Sequence, residues 1–470
     1  MNRDKQSVPA ATAGERHALL SLSLAMLLSA LGTSIANVAL PTLSEVFSAS
    51  FQQVQWVVLS YLLAITTLIV SAGRLGDLFG RRPLLLYGVG LFSAASLLSA
   101  YPSLPVLIAA RAVQGLGAAL MMALSMAYVA DLVPRERTGR AMGLLGTASA
   151  IGTAMGPSLG GLLIGALGWQ SVFATNVPLG IVTFFLLQRH LPAAPPRQMA
   201  RSRFDYTGTV LLSLTLAAYA LAMTVGRGDW GLRNNTLLGL TLLAATLFVV
   251  SQQRASAPLV KLSLLGRPLL LAGMAMSTLV TAVVMATLVV GPFYLTQALG
   301  LSTTLLGLVM SAGPLVAAAS GVPAGQLVDH YGAHPMTLLG LLLMLAGSCT
   351  LALLPVAAGI TGYVAALSAT TAGYALFQAA NNTQVMVGVT TEQRGLVSGL
   401  LNLSRNLGLI TGTAAMGAVF AMAGKSAALP AGSPQAASSG LHATFAVAAA
   451  LIVLALLLGR RNRVPQMQTV

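Results

Sequence analysis

The chain has 470 residues, of which 56% are hydrophobic and only 7% charged. Soluble domains carry roughly 25% charged residues, so a water-soluble fold is excluded. The net charge of +15 does not signal nucleic acid, because the basic residues are spread over short hydrophilic breaks rather than gathered in one patch.

In chain order, apolar stretches of membrane-spanning length fall near residues 18–40, 54–73, 84–101, 105–130, 141–166, 171–189 and 207–225. They continue near 235–253, 268–294, 302–325, 336–355, 360–385, 396–423 and 441–459. The expected fold is an all-α integral membrane protein with 14 transmembrane helices. The first sixteen residues are polar and the first stretch is too long for a signal h-region, so an uncleaved first span is expected. With the N-terminus in the cytoplasm, twenty of the 25 Lys and Arg residues fall on the cytoplasmic side. Arg227, Arg233 and Lys425 lie outside, and Arg111 and Arg405 fall within spans. Both termini are therefore expected inside, at the cell (inner) membrane. Cys349 is the only cysteine, so no disulfide forms within the chain.

The sequence is internally duplicated. The turn Gly73-Arg74-Leu75-Gly76-Asp77-Leu78-Phe79-Gly80-Arg81-Arg82-Pro83 returns 252 residues later, with Gly325, Asp329, Gly332 and Pro335 in register. Gly143, Gly152 and Gly156, which follow Glu136, match Gly399, Gly408 and Gly412, which follow Glu392, at an offset of 256. Two pseudo-symmetric six-helix bundles are expected, over 1–190 and 268–470. Residues 191–267 supply a Pro- and Arg-rich linker and two inserted helices with no counterpart in the repeat. Related halves that rock around a shared central site are the plan of a transporter.

Residues 73–83 resemble the loop between helices 2 and 3 of the major facilitator superfamily, usually written GxLxDRxGRR; Leu78 stands where that pattern prefers Arg. A positive-inside turn accounts for the arginines but gives no reason for the aspartate. Arg111, Gln114, Gly115 and Gly117 resemble the superfamily's RxxQGxG element. Gly152, Gly156, Pro157, Gly160 and Gly161 resemble its antiporter element GxxxGPxxGG, which is associated with exporters. Pro157 removes a helix hydrogen bond, and the glycines allow close packing. Asn37-Val-Ala-Leu-Pro41, Gln55-Trp56 with Tyr61, Gly168-Trp169 with Asn176-Val-Pro178, Asp205 with Gly208, and Arg405-Asn-Leu-Gly408 resemble the fourteen-helix drug:proton antiporter branch. The resemblance implies drug efflux by proton antiport. It also implies gating by Gly73, Arg74, Asp77, Gly80, Arg81, Asp131, Asp329 and the glycines and proline of 152–161.

The chain departs from this branch in one important place. The usual helix 1 aspartate, five residues before Asn37, is Gly32. A buried carboxylate can exchange protons near the working pH, and the remaining candidates for that role are Asp131, Glu45, His442 and Asp77, or coupling is absent. Arg111 should face a polar cavity or a partner, unless it snorkels to the outer surface. Arg405 should lie deep and disfavour dications, giving a bias toward neutral, zwitterionic or anionic amphiphiles, unless it only makes structural contacts. Amides and aromatics suit a ligand cavity, so a lining is expected from Asn37, Gln55, Tyr61, Arg111, Gln114 and Phe293. Tyr294, Gln378, Asn381, Asn382, Asn402 and Arg405 are expected to complete it. No HExxH, P-loop, or metal-spaced Cys or His cluster occurs, so neither an enzyme nor a cofactor is expected. The expected partners are a small amphiphilic substrate, protons and the bilayer, with the protein a monomer. The alternative is a metabolite facilitator, exporter or importer without classical proton coupling.

Overall fold

A computed structural model describes residues 13–133, 135–192, 205–225, 231–255, 258–259, 266–387, 389, 391–426 and 433–461, some of them, including Arg74, Asp77 and Asp131, by backbone alone. Among the described residues there are sixteen α-helices and no strand. The first half contains α1 (Ala13–Val46), α2 (Phe51–Phe79), α3 (Arg81–Leu98), α4 (Leu104–Leu132), α5 (Arg135–Leu167), α6 (Gln170–Ala174) and α7 (Asn176–His190). The inserted pair is α8 (Tyr206–Thr224) and α9 (Leu232–Arg254). The second half contains α10 (Pro268–Phe293), α11 (Thr303–Tyr331), α12 (Ala333–Ala352), α13 (Gly359–Met386), α14 (Thr391–Thr411), α15 (Gly417–Ser426) and α16 (Pro434–Arg461). Wide π turns follow α10 at Tyr294–Ala298 and link α14 to α15 at Gly412–Met416.

Thirteen helical segments among the described residues are long and apolar enough to cross a membrane. Each coincides with one of the expected spans. The remaining expected span, 84–101, falls mostly in α3, whose 18 residues open with Arg81 and Arg82 and lie outside that set. Two guanidinium groups at its head lower its mean hydropathy, although the helix packs against α4 and α7.

The duplication is visible in local geometry. Gly80 is the single residue between α2 and α3, and Gly332 the single residue between α11 and α12. Their φ angles are 88° and 87°, a left-handed conformation that an L side chain resists. At the opposite ends of the same helices, Ser50 caps α2 and Ser302 caps α11, again 252 residues apart. Packing repeats as well. Helix α1 packs on α5 and α7, α2 on α4, and α3 on α4 and α7. Helix α10 likewise packs on α14 and α16, α11 on α13, and α12 on α13 and α16.

The Gly80 and Gly332 turns define one end of the molecule, called here the hairpin end; the other is the far end. One apolar core joins both halves. From α1 and α2 it draws Leu31–Leu43 and Val54–Leu62, the portions nearer the far end.

Candidate functional site

The two halves meet at the far end through two contacts that are images of each other under the repeat. In the first seam, α5 meets α11. A methyl group added at Gly161 would lie 2.7 Å from Gly307 Cα and 2.7 Å from the Thr303 carbonyl oxygen. One added at Gly307 would lie 2.6 Å from the Pro157 carbonyl oxygen. In the second seam, α15 and the π turn before it meet α2. Gly417 abuts Phe51 and Gln55, and the Gln55 amide donates to the Thr413 carbonyl at 2.9 Å. Gly161 and Gly417, like Pro157 and Thr413, are 256 apart, while Phe51 and Thr303, like Gln55 and Gly307, are 252 apart.

The seams nevertheless differ chemically. The first brings bare backbone together. The second carries the Gln55 hydrogen bond and an aromatic plug in which Phe51 lies 4.6 Å from Phe293 and 5.0 Å from Phe420, centroid to centroid. All these bundle-to-bundle contacts lie at the far end.

The antiporter-like glycines serve two faces of α5. Gly152, Gly156 and Gly160 pack on α1 at Leu27, Ser34 and Ile35, while Gly161 and Gly165 pack on α11. The first face holds one half together; the second joins the two halves.

Arg111 is fully buried between α2 and α4. Its Nε donates to the Val57 carbonyl at 2.9 Å and one Nη to Gln114 Oε1 at 2.5 Å. The guanidinium sits 4.0 Å from the centre of the Tyr61 ring, a cation–π contact. Gln114 continues to Ser96 Oγ at 2.6 Å, and the Tyr61 hydroxyl donates to the Ser29 carbonyl at 2.8 Å. Of the sequence alternatives for Arg111, partners inside the bundle are what is found. Its other Nη has no protein partner among the described residues. Gly32, the position of the missing aspartate, lies beside this cage. A methyl group there would be 2.9 Å from Phe92 Cζ and 3.2 Å from Tyr61 Oη.

In the second half Arg405 is half-buried. With the Gln378 amide oriented to satisfy its neighbours, its oxygen accepts from Arg405 Nη1 at 2.9 Å and Nη2 at 3.2 Å, and its nitrogen donates to Tyr374 Oη at 2.7 Å. The guanidinium is thus held from α13 by a neutral group.

The other expected lining residues scatter. Asn37 bonds back to its own helix at Thr33 and Ser34, and Asn381 donates to the Gly273 carbonyl. Tyr294 stacks on Tyr363 at 5.9 Å. Asn402 is half-buried and Asn382 exposed. Gln55 and Phe293 belong to the far-end closure. Buried polar atoms of Asn37, Gln55, Tyr294 and Asn381 have no protein partner among the described residues, although each such group costs about 1–3 kcal/mol if left unmet.

Among the gating candidates, Arg81 Nη1 donates to the Ala127 carbonyl at 2.8 Å, pinning the Gly80 turn to α4. The neighbouring Arg82 reaches the Gln188 carbonyl of α7. Gly73 has open space around it, and Asp329 is exposed. The side chains of Arg74, Asp77 and Asp131 lie outside the described residues. Of the proton-coupling candidates, Glu45 is exposed near the far end. His442 Nε2 pairs with the Leu354 carbonyl at 2.8 Å.

Phe51, Gly307, Thr413, Gly417 and Phe420 were not among the sequence candidates. Adding the 252 offset to Gln55 reaches Gly307, and adding the 256 offset to Pro157 and Gly161 reaches Thr413 and Gly417; Phe51 and Phe420 have no candidate as counterpart.

A family model described as Major Facilitator Superfamily matches residues 22–413. The multidrug resistance protein Stp of Mycobacterium tuberculosis is 32% identical over 415 residues, covering 86% of this chain and 75% of that protein. The riboflavin transporter RibZ of Clostridioides difficile is 30% identical over 407 residues, covering 86% and 88% respectively. Among solved structures, a bacterial homologue of the human lysosomal transporter Spinster, in an inward-facing and unoccupied conformation, superposes with a TM-score of 0.70 at 16% identity, covering 97% of this chain and 100% of that one.

Proposed function

The chain belongs to the major facilitator superfamily, and from that premise we propose that it is a secondary active exporter of amphiphilic drugs or antibiotics, working by alternating access. The observation that carries this reading is the pair of repeat-related contacts, Gly161 on Gly307 and Gly417 on Gln55, which joins the halves near the far end. Two rigid bundles that meet at one end present a central crevice to the other. The hairpin end faces the cytoplasm, with both termini inside and α3 as the fourteenth span, so the conformation is inward-open. The units are 1–190, 191–267 and 268–470. The protein acts as a monomer in the inner membrane. Similarity to Stp and the GxxxGPxxGG element favour export over import.

The crevice takes neutral or anionic amphiphiles. Arg405, held by Gln378 with no acid among the described side chains beside it, disfavours dications. The coupled ion is the proton, taken up at a carboxylate other than the one Gly32 replaces. Asp131 is the first candidate, since Glu45 is exposed near the far end and His442 is engaged with a carbonyl. The second reading, a metabolite carrier without proton coupling, is favoured by Gly32 itself and by similarity to RibZ.

Efflux from inverted vesicles across an antibiotic and dye panel, with and without a pH gradient, separates these readings. Gradient-driven transport that is lost in Asp131→Asn and retained in Glu45→Gln supports antiport. Transport indifferent to the gradient supports the second reading, and dication resistance that disappears in Arg405→Ala overturns the charge preference.

A further inference from the structure

The two halves run side by side along two lateral seams, α2 beside α14 and α5 beside α11, and the glycine contacts described above close both near the far end. The inserted pair treats them unequally. Helix α8 is bonded to α2 near both its ends: Ser71 Oγ and Thr209 Oγ1 are 3.2 Å apart, and Trp56 Nε1 donates to Thr224 Oγ1 at 3.2 Å. It also crosses to the other half, since α8 packs on the π turn after α14. From α9, Phe248 packs onto the hairpin-end core of the second half formed by Leu270, Val385 and Leu400. The pair therefore overlies the α2–α14 seam from one bundle to the other.

No described helix overlies α5–α11 in this way. Beyond the Gly161–Gly307 contact these helices present apolar side chains outward toward the hairpin end: Ile151 and Met155 on α5, 45% and 44% exposed, and Leu315 and Val322 on α11, 63% and 71% exposed.

We propose that the α8–α9 hairpin seals one lateral seam, so that a bilayer-dissolved amphiphile enters the central crevice from the inner leaflet through the other, between α5 and α11. The aliphatic walls of that seam accept the apolar body of the molecule, and the half-buried amides and Arg405 within receive its polar or anionic head. The inference rests on the export reading above, because it concerns how that substrate arrives. It also gives the inserted helices a role, which is to make access one-sided.

The test uses the full chain in a Cys349→Ser background and two anionic probes, bilayer-partitioned dodecanoylaminofluorescein and water-soluble carboxyfluorescein. A disulfide between Ser71→Cys and Thr209→Cys fixes the covering helix α8 on α2 and should leave the rates of both probes within about twofold. Alkylating Met155→Cys with Val322→Cys by a bulky maleimide should slow the lipophilic probe at least fivefold and leave carboxyfluorescein within about twofold. Loss of lipophilic transport in the locked variant overturns the proposal, as does equal sensitivity of the two probes to alkylation. If the unmodified protein binds the lipophilic probe in nanodiscs but transports neither, the export reading fails. The seam is then scored on the binding rate of that probe, with the same two modifications and the same thresholds. A protein that neither binds nor transports overturns both.

Discussion

Gly161→Ala tests whether the far-end contact is a backbone-on-backbone closure. The added methyl would lie 2.7 Å from Gly307 Cα and from the Thr303 oxygen, neither of which is a flexible side-chain end. Comfortable carbon contacts lie near 3.5–4.0 Å, so the helices must part by roughly 1 Å. Overpacking of this kind costs about 1–3 kcal/mol. The penalty falls on the far-end-closed state alone, because opening that end separates α5 from α11. The closed-to-open ratio should therefore fall roughly 5- to 150-fold. In a Cys349→Ser background, pulsed electron paramagnetic resonance between labels at Glu45→Cys and Leu353→Cys, exposed positions at the far ends of α1 and α12, reads that ratio as a shift from short to long distances. Gly146→Ala, where nothing lies within 4 Å, is the control. Distributions for Gly161→Ala and Gly146→Ala that both superimpose on the unmodified protein would refute the closure. The repeat-related Gly417→Ala should act more weakly: its methyl meets the movable end of Gln55, and displacing that amide loses one hydrogen bond worth about 0.5–1.5 kcal/mol.

Three further outcomes are expected. Arg405→Ala should lower initial transport rates of organic anions at least tenfold and of neutral amphiphiles by less than twofold. Arg405→Lys should recover only part, because an ammonium lacks the planar fork that gives two N–H groups to Gln378 at once. Gly32→Asp, combined with Phe92→Leu to relieve the 2.9 Å approach, should raise the pH-gradient dependence of transport at least threefold by placing a carboxylate beside the Tyr61 hydroxyl; unchanged dependence in vesicles removes that position from any coupling role. Glu15 and Arg137, paired at 3.0 Å between α1 and α5, are 10% and 20% exposed, so Arg137→Ala should cost about 1 kcal/mol in thermal unfolding, an effect that shrinks as salt is raised.

The duplication was the most legible feature. Gly80 and Gly332 stand out because only glycine tolerates φ near 88° cheaply, so the same residue recurs wherever the same one-residue turn recurs. The cage around Arg111 was half legible. Its spacing to Gln114 puts both on one helix face. Nothing in the sequence says that Tyr61 supplies a ring face or that Val57 supplies a carbonyl. The sequence points to Gln55 and Phe293 as cavity lining, whereas the fold uses them to join the halves, since residue type alone does not distinguish a wall from a plug. Amide side chains at Asn37 and Asn381 looked equally site-like, yet each reaches a backbone carbonyl in its own half.

Taken alone, the amino-acid order determined an all-helical membrane protein built from a doubled unit. Hydrocarbon demands long apolar helices, and repeated turn chemistry survives as repeated spelling. The tertiary structure alone decided which glycine faces meet within a half and which meet across it, and which end those meetings close. It also placed the inserted pair over the α2–α14 seam. Those choices depend on the rotation of each helix about its axis and on the docking of one half against the other. Such contacts join residues hundreds of positions apart, and no local pattern encodes them.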